Sequence, residues 1–321
     1  MIESEVIIVG GGPAGATCGW KLKQQNIQTL ILDKATFPRP KLCAGWITPR
    51  VWRDLEMSAS DYPKSVLTFR RLNYHFFNRK IPIKTLQYSI RRFEFDAWLS
   101  DRSNCEQIQH QVQNIRRENG VYIIDETFRC KYLVGAGGTH CRVYRSFFKS
   151  ISPREKENQI TTLEAEFPYD YHDPECYLWY FDQGLRGYSW YVPKGNGYLN
   201  VGIGGKLQGL KAQGQTIRHH WDLFIKKLRG KNLVPSQEIK PRGYNYYIRP
   251  KATRVHIDNA YIIGDAAGLA SVDMGEGIGP AIKSGLLAAD AILNQRPYST
   301  RSIGKYSFFD VIFPRLMARF S

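Results

Sequence analysis

The sequence has few cysteines and no pattern that would join them. Its six cysteines are scattered without a Cys-x-x-Cys pair, and its seven histidines have no spacing typical of a metal site. His219 and His220 are adjacent, so on a helix they would point apart. A disulfide framework and a structural zinc site are therefore not expected. No metal ligands are predicted, and a reducing cytoplasm is the expected location.

Long apolar runs are missing as well. No stretch approaches the roughly 18 consecutive apolar residues of a membrane-spanning helix, although 43% of the residues are hydrophobic. A short apolar strand over residues 5–9 has no cationic leader before it, so we expect no secretory signal. A chain of 321 residues with this composition is typical of a soluble globular protein with two domains.

Acidic residues are scarce relative to basic ones. The sequence has 29 Asp and Glu against 45 Lys and Arg, a net charge of +16. This excess favours an anionic partner: a phosphorylated cofactor, a phosphorylated substrate or an acidic membrane surface. The basic residues are dispersed and the familiar nucleic-acid motifs are missing, so nucleic acid is not the expected partner.

A glycine-rich turn directly follows the first strand. The sequence GGGPAG covers residues 10–15; a predicted helix and a second predicted strand follow, and that strand ends at Asp33. In such a β-α-β unit Gly10 permits the tight turn, Gly12 lets the backbone approach a pyrophosphate, and Gly15 lets the helix pack on the strand. Asp33 is suited to bind an adenosine ribose. The pattern predicts a dinucleotide site without separating FAD from NAD.

A second glycine-rich element lies near the other end of the chain. The apolar strand in residues 260–268 ends in Gly-Asp, and residues 275–279 (GEGIG) precede a predicted helix over residues 280–293. An acid at a strand end is also explained by a turn and a helix cap. Because FAD is long, however, its flavin half needs a binding element remote in sequence from the first, and this second element therefore favours FAD over NAD.

Together the two elements resemble the FAD-dependent enzymes of the glutathione-reductase-like group. The resemblance implies that Asp265 binds the ribityl chain and that the next helix N-terminus stabilises negative charge on the flavin's pyrimidine edge. Residues 88–99 resemble the group's R-x-x-F-D-x-x-L helix start with Arg92 in register, although a helix with Arg on its solvated face also explains them. Residues 130–145 resemble its G-A-D-G segment, with Gly137 where aspartate is usual.

The chain resembles the geranylgeranyl reductase family more closely than the aromatic hydroxylases. The segments that carry this resemblance are residues 10–15, 40–46, 187–205 and 264–285. Membership would imply that reduced flavin adds hydrogen across carbon–carbon double bonds of prenyl chains. It would also imply a catalytic role for Cys43 near the flavin, whereas packing of a small buried thiol is the alternative. Ala44 stands where glycine is common in this family.

The resemblance also yields a set of expected cofactor contacts. The residues expected to bind FAD are Gly10, Gly12, Pro13, Ala14, Gly15, Asp33, Lys34, Lys41, Cys43, Ala44, Arg92, Gly264, Asp265, Ala266, Gly275, Gly277 and Ile278. No second G-x-G-x-x-G exists, so NAD(P)H would dock transiently or another donor would supply the electrons.

Two other functions stay open on the sequence. A flavin-dependent monooxygenase or halogenase would use oxygen on the same scaffold, although no Lys-bearing loop resembles the halogenase site. A flavin- or lipid-binding protein without redox activity is the third possibility. The substrate expected for the reductase is an apolar small molecule, with a phosphate group as an option that the charge favours.

The expected fold is α/β, with a Rossmann-like three-layer FAD-binding domain of the glutathione-reductase type and an inserted substrate domain built on an antiparallel sheet. The expected FAD-binding domain is discontinuous and consists of residues 1–60, 105–150 and 255–321. The expected substrate domain consists of residues 61–104 and 151–254. A hairpin over residues 187–205 would centre the second sheet, and Tyr188, Trp190 and Tyr191 are expected to line the substrate cavity. Which face of this hairpin lines the cavity stays open.

The segment from residue 308 to 317 is expected to cover the core, with contact to a membrane surface as the alternative.

Overall fold

The structure, a computed structural model, describes residues 1–77, 79–250 and 254–312. Within these ranges the strands are β1 (Ile2–Val9), β2 (Thr29–Asp33), β3 (Trp46–Ile47), β4 (Val66–Phe76), β5 (Arg79–Ile90), β6 (Glu106–Gln109), β7 (Ile115–Glu118), β8 (Val121–Ile124), β9 (Phe128–Gly135), β10 (Gln159–Pro168), β11 (Cys176–Tyr180), β12 (Gly187–Lys194), β13 (Tyr198–Lys206), β14 (Arg242–Tyr247), β15 (His256–Ile257) and β16 (Ala260–Ile262). The α-helices are α1 (Pro13–Lys23), α2 (Pro49–Asp54), α3 (Arg92–Arg102), α4 (Leu207–Ala212), α5 (Ile217–Gly230), α6 (Ile278–Asn294) and α7 (Phe308–Ile312).

The first sheet has a parallel centre with the strand order β15-β16-β9-β1-β2-β6. Strands β16, β9, β1, β2 and β6 run parallel, and β7 and β8 extend the sheet from β9 as an antiparallel ribbon. The second half of β1, from Val6 to Val9, is buried, as expected for a continuous apolar strand that is covered on both faces. This is the Rossmann-like arrangement predicted from the β-α-β pattern.

Helices α1 and α6 pack closely against each other beside the first sheet. Gly285 of α6 lies against the backbone of Ala14 and Cys18 in α1, so even a methyl group at this position would overlap the helix opposite. Helix α6 begins at Ile278, two residues before the predicted start, with Gly277 as its N-cap. None of the helices within the described ranges is both long and apolar enough to cross a bilayer.

The second sheet has the strand order β14-β10-β13-β12-β11-β4-β5-β3 and is antiparallel except where β11 pairs with β4. One face is covered by the amphipathic helix α5, whose Trp221 and Phe224 pack against Tyr191 and Val201. The opposite face carries Trp190 and its apolar neighbours. The fold class predicted from the sequence, a Rossmann-like FAD-binding unit with a second, antiparallel sheet, is confirmed.

Several elements lie across the predicted domain boundaries, among them α7 of the segment 255–321, which packs on β5 of the second sheet. Strand β3 belongs to the segment 1–60 but pairs with β5 in the second sheet. Helix α3 belongs to the segment 61–104 but packs against α1. The other strands follow the predicted segments, and the division into domains itself stays a prediction.

Helix α7 covers part of the second sheet. Val311 is buried, Phe308 packs beside it, and the Thr85 hydroxyl donates a hydrogen bond to the Val311 carbonyl at 2.6 Å. For residues 308–312 this geometry favours the predicted core-covering role. The remainder of the predicted segment lies outside the described residues.

Candidate functional site

A cavity of about 1310 Å³ lies between the two sheets. On one side it is bounded by the carboxyl ends of parallel strands, with Val9 at the end of β1, Asp33 at the end of β2 and Ala136 just after β9. On the other side it is bounded by the face of the second sheet that carries Glu164 and Trp190. Ligands of open α/β folds bind at this edge of the parallel sheet.

Most of the residues predicted to form the site line this one cavity. They are Gly10, Gly12, Pro13, Ala14, Asp33, Lys34, Lys41, Cys43, Ala44, Arg92, Tyr188, Trp190, Gly264, Asp265, Gly275, Gly277 and Ile278. Gly15, Ala266 and Tyr191 are absent from its lining. The contacts that each residue makes with a ligand stay predictions.

The N-terminus of α1 opens onto the cavity without a side-chain cap. Gly12 is the N-cap residue, and no side chain accepts a hydrogen bond from the first turn, so its N–H groups are available to an anion. Gly10 has a φ of +114°, and a Cβ there would lie 2.5 Å from the Ala136 carbonyl. Gly15 instead packs directly on the Gly10 carbonyl oxygen. Its role is therefore to bring the helix against the strand, which is why it does not line the cavity.

Asp33 is fixed at the end of β2 by two backbone hydrogen bonds. One carboxylate oxygen accepts the Gly11 N–H at 2.7 Å, and the other accepts the Ala35 N–H at 3.0 Å. The Asp33 side chain stays 12% exposed toward the cavity. This geometry leaves lone pairs for a ribose hydroxyl pair.

Positive charge gathers at the same end of the cavity. Burial lowers the pKa of His140, and the charges of Arg145, Lys34, Arg154 and Lys41 lower it further. The basic residues that line this part of the cavity are Lys34, Arg39, Lys41, His140, Arg142 and Arg145. His140 is favoured in its neutral form, and the positive potential that suits a pyrophosphate comes from the lysine and arginine side chains together with the uncapped helix.

The second glycine-rich element lines the cavity beside the first turn of α1, where Gly264 lies against Ala14. Gly264 donates its N–H to the Ser284 hydroxyl at 2.9 Å, which ties the strand end to α6. Asp265 follows and faces the cavity, whereas Ala266 is buried in the turn behind it. Gly275 has a φ of +63° and lies against the Tyr246 hydroxyl, so a side chain there would be strained and would clash.

Glu276 lies at the N-terminus of α6. Its carboxyl group accepts the Gly279 N–H at 2.7 Å. Burial raises the pKa of Glu276 to about 7, against the effect of that hydrogen bond, and the nearby Asp310 raises it further. The first turn of α6 therefore has one side-chain acceptor that the sequence pattern did not reveal.

The loop that carries Cys43 and Ala44 is held on the second sheet by two buried polar side chains. The Lys194 ammonium donates hydrogen bonds to the carbonyl oxygens of Ala44 and, at 2.9 Å, Ile90. The Asn200 amide donates to the Cys43 carbonyl at 3.4 Å and accepts the Trp190 indole N–H at 2.7 Å. Cys43 is thus positioned by contacts from strands far away in sequence.

Arg92 forms a buried ion pair beside Cys43. Its guanidinium makes a two-point contact with the Asp96 carboxylate at 2.6 and 2.8 Å and also lies beside the Cys43 thiol. Burial opposes the charge on Arg92, but Asp96 and Cys43 raise its net pKa. The solvated arginine that the helix pattern allowed is therefore ruled out, because Arg92 is only 7% exposed.

An aromatic wall lines the cavity from the second sheet. Tyr180 and Tyr188 stack at 4.9 Å, and Tyr188 lies 5.7 Å from Trp190. The Tyr188 hydroxyl donates to the Met274 carbonyl at 2.5 Å, so the polar end of this ring is already occupied. The wall therefore presents mainly ring faces and apolar edges.

Tyr191 requires a correction. It was expected beside Tyr188 and Trp190, but it points to the opposite face of β12, is fully buried under α5, and donates to the Asp173 carbonyl at 3.1 Å. The physical reason is the two-residue repeat of a strand, which sends residues 188 and 190 to one face and residue 191 to the other.

Two further side chains of this site were missed by the sequence reasoning. Lys194 precedes the turn-forming residues Gly195, Asn196 and Gly197, a position typical of a solvated side chain, yet it is fully buried at the end of β12. Glu164 was not selected at all, yet it is 4% exposed and lines the cavity. In the sequence Glu164 and Glu166 alternate with apolar residues of β10, and this pattern is typical of a face exposed to solvent. It therefore gave no indication that Glu164 is buried in the cavity.

The donors and open surfaces of the cavity fit FAD. The uncapped N-terminus of α1 and the surrounding cations suit its pyrophosphate, Asp33 suits its adenosine ribose, and Asp265 suits its ribityl chain. Glycines at positions 10, 12, 275 and 277 keep the lining backbone free of side chains. The lining opposite these groups is aromatic, as a planar apolar ligand or chain requires.

Comparison with known proteins agrees with this geometry. Residues 8–40 match the family of NAD(P)-binding Rossmann-like domains. The chain is 32% identical over 308 residues to an uncharacterized protein of Methanosarcina barkeri, covering 91% of this chain and 75% of that protein. It is 24% identical over 306 residues to digeranylgeranylglycerophospholipid reductase 1 of Methanopyrus kandleri, covering 90% and 80%. It is 23% identical over 319 residues to geranylgeranyl diphosphate reductase of Rhodobacter capsulatus, covering 91% and 75%.

The chain belongs to the geranylgeranyl reductase family. This membership confirms the resemblance that four sequence segments indicated, and it makes the protein a flavoprotein oxidoreductase.

Solved structures place the geranylgeranyl reductase family within a wider flavoprotein fold. The chain matches a geranylgeranyl bacteriochlorophyll reductase-like protein of Thermoplasma acidophilum with a TM-score of 0.78 and 21% identity, covering 92% of this chain and 80% of that one. It also matches the flavin-dependent halogenase CmlS with a TM-score of 0.72 and 17% identity, covering 91% and 58%. At these identities the likeness concerns the fold alone.

Proposed function

We propose that this protein reduces carbon–carbon double bonds of a prenyl or similarly apolar chain, using FAD as its resident cofactor. The observation that carries the proposal is the composition of the cavity between the two sheets. Groups suited to FAD line one side, and the aromatic wall of Tyr180, Tyr188 and Trp190 lies opposite. An apolar chain held between them would lie against aromatic ring faces, as a prenyl substrate requires.

In this proposal the residues of the first sheet and of α6 bind the cofactor. The α1 N-terminus would bind the pyrophosphate, Asp33 the adenosine ribose, and Asp265 the ribityl chain. Reduced flavin supplies the hydride when it is bound. Cys43 lies where the loop, the Arg92 guanidinium and the second sheet meet, which supports a role at the reacting centre.

The charge at the rim of the cavity supports an anionic head group on the substrate. Arg186, Lys206 and Arg242 line the cavity from the second sheet, in addition to the cations near the dinucleotide elements. The Rhodobacter capsulatus relative is named a geranylgeranyl diphosphate reductase, which is consistent with such a substrate. The same positive surface supports peripheral contact of a cytoplasmic protein with an acidic membrane.

The electron donor is part of the proposal. The NAD(P)-binding match over residues 8–40 falls on the segment proposed here to bind FAD, and no second motif of this kind occurs in the sequence. A transiently bound NAD(P)H or another reductant would therefore recharge the flavin.

An anaerobic single-turnover experiment tests this function. The bound flavin is first reduced with dithionite. Geranylgeranyl diphosphate and a geranylgeranyl glycerolipid are then added in separate experiments. Absorbance follows the reoxidation of the flavin, and mass spectrometry identifies the products. We expect reoxidation coupled to products that gain hydrogen in pairs.

The alternative is an oxygen-dependent monooxygenase or halogenase on the same fold. Flavin that stays reduced with every prenyl substrate, but reacts with oxygen and hydroxylates or halogenates an aromatic compound, would support that alternative and exclude the reductase. Oxygen uptake without any modified product would indicate a protein that binds flavin without either activity.

A further inference from the structure

Glu164 is the buried acid of the cavity's substrate side. It lies on β10, opposite Gly202 of β13 and Arg242 of β14, so its side chain points to the cavity face of the second sheet. The residue is 4% exposed. A carboxyl group so nearly enclosed must be protonated or stabilised by its neighbours, because burial of a carboxylate is costly.

The carboxyl group sits between Trp190 and Cys43. Gly202 lies directly beneath the Trp190 ring, and the Cβ of Glu164 approaches the same glycine from the other side. The backbone N–H of Cys43 faces the Glu164 carboxyl. The acid is therefore adjacent both to the aromatic wall and to the loop proposed to lie near the flavin.

The surroundings favour a protonated carboxyl near neutral pH. Burial raises the pKa of Glu164 to about 7, and the charge of Glu166 on the same strand adds to this. Lys194 from β12, Lys41 from the loop and the Cys43 N–H act in the opposite direction. Arg242 on β14 also lines the cavity on this face. A carboxyl group whose pKa lies near 7 through these opposing effects can release a proton and bind it again at the pH of a cell.

We propose that Glu164 is the proton donor of double-bond reduction. The inference rests on the proposed function. The O–H bond of Glu164 would break and its proton would bond to one alkene carbon, while the hydride that bonds to the other carbon would come from reduced flavin. The carboxylate left behind takes a proton from solvent through the open cavity, and the flavin is left oxidised by two electrons.

Glu276 is the nearest competitor for this role. It is also a cavity carboxyl with a pKa of about 7, but it accepts the Gly279 N–H at the start of α6. It is thus engaged on the side of the cavity assigned to the flavin, whereas Glu164 lies in the sheet that bears the aromatic wall.

The test compares Glu164→Gln with the matched control Glu166→Gln in the FAD-loaded protein. Glu166 is two residues away on the same strand and is paired with Arg91 at 3.0 Å. After anaerobic reduction, geranylgeranyl diphosphate is added and flavin reoxidation is timed. We expect Glu164→Gln to slow reoxidation by about 100-fold or more, because general acid catalysis contributes factors of this size. We expect Glu166→Gln to stay close to the wild-type rate, and reoxidation by oxygen to be unaffected in both variants.

A second readout does not depend on turnover. The infrared band of a protonated carboxyl is recorded in the FAD-loaded protein below and above pH 7, and the Glu164→Gln spectrum is subtracted. We expect a band that is lost as the pH rises through about 7 and that belongs to Glu164. If Glu164→Gln fails to bind flavin, Glu164→Asp replaces it, and a wild-type pH profile of reoxidation in that variant would overturn the proposal.

The outcomes separate the two proposals. If the wild-type protein and Glu164→Gln reduce prenyl alkenes at the same rate, the role of Glu164 is overturned and the proposed function is not. A wild-type protein that reduces no alkene overturns the proposed function, and the role of Glu164 with it.

Discussion

The indole ring of Trp190 lies over Gly202 on the neighbouring strand, and its N–H is bonded to Asn200 at 2.7 Å. The ring occupies the space that a side chain at position 202 would take. The immediate neighbour of Gly202 on this face of the sheet is therefore the tryptophan. The glycine thus holds the aromatic wall in place, and through Asn200 the same tryptophan is connected to the Cys43 loop.

Substituting Gly202 by Ala should displace Trp190. A methyl group would overlap the ring, and overpacking of this kind costs about 1–3 kcal/mol of the free energy of unfolding. Urea unfolding and tryptophan fluorescence measure the two effects. The matched control is Gly243→Ala on β14, where a Cβ would meet its nearest neighbour, Leu163, at an ordinary 3.4 Å. Equal stability of the two variants would contradict the close approach of ring and glycine.

Replacing Lys194 by Met should loosen the loop around Cys43. The change leaves the carbonyls of Ala44 and Ile90 without their buried donor, and an unsatisfied buried acceptor costs about 1–3 kcal/mol. We expect amide hydrogen exchange in residues 43–46 to quicken by about tenfold or more, since about 1.4 kcal/mol corresponds to a factor of ten. Lys231→Met, at the exposed end of α5, is the control. Unchanged exchange would show that Lys194 does not hold the loop.

Removing one partner of the Arg92–Asp96 ion pair should lower the free energy of unfolding more than removing both. Asp96→Ala leaves a buried guanidinium without its two-point partner, and breaking such a pair costs about 3–5 kcal/mol of unfolding free energy. Arg92→Leu combined with Asp96→Leu removes both charges and should recover much of that loss. Urea unfolding of the single and double variants measures the difference. A double variant no more stable than Asp96→Ala would show that packing, not charge, limits this site.

Cys43 should matter to the reaction beyond its packing. Cys43→Ser keeps the size of the side chain but replaces the thiol that lies beside Arg92. We expect flavin reoxidation by a prenyl substrate to slow by about tenfold, with flavin binding retained. Cys105→Ser changes a half-buried cysteine that lies against Gly19, away from the cavity, and serves as the control. Equal rates in the two variants would assign Cys43 to packing.

Glu164 should make the fold less stable as the pH rises. Its pKa is raised from 4.5 to about 7 in the folded protein, so the folded state binds more protons than the unfolded state between these values. The stability that this group contributes is fully present below about pH 4.5 and is lost as the pH rises through about 7. Glu164→Gln should therefore match the wild type in acid and exceed it above neutral pH by up to about 3 kcal/mol. Parallel pH profiles of urea unfolding for the two proteins would contradict the buried, protonated carboxyl.

The elements proposed to bind FAD could be recognised from the sequence because each is contiguous. The turn at residues 10–15 and the Gly-Asp turn at 264–265 are fixed by local backbone requirements after a strand, and Asp33 is recognised by its place at the end of the next strand. Such requirements restrict the residue types directly, so a single sequence displays them. The same holds for the alternation that predicted the hairpin of β12 and β13.

Only the tertiary structure decided which residues meet across the cavity. Alternation separates Tyr188 and Trp190 from Tyr191 but does not say which face is covered by α5 and which looks inward. Lys194 reaches Ala44 across 150 residues of sequence, and Glu164 gains its raised pKa from enclosure by strands and a loop that are distant in the chain. The sequence therefore determined the cofactor elements through local geometry. Burial and the pairing of remote strands determined the substrate wall, its lysine and its acid.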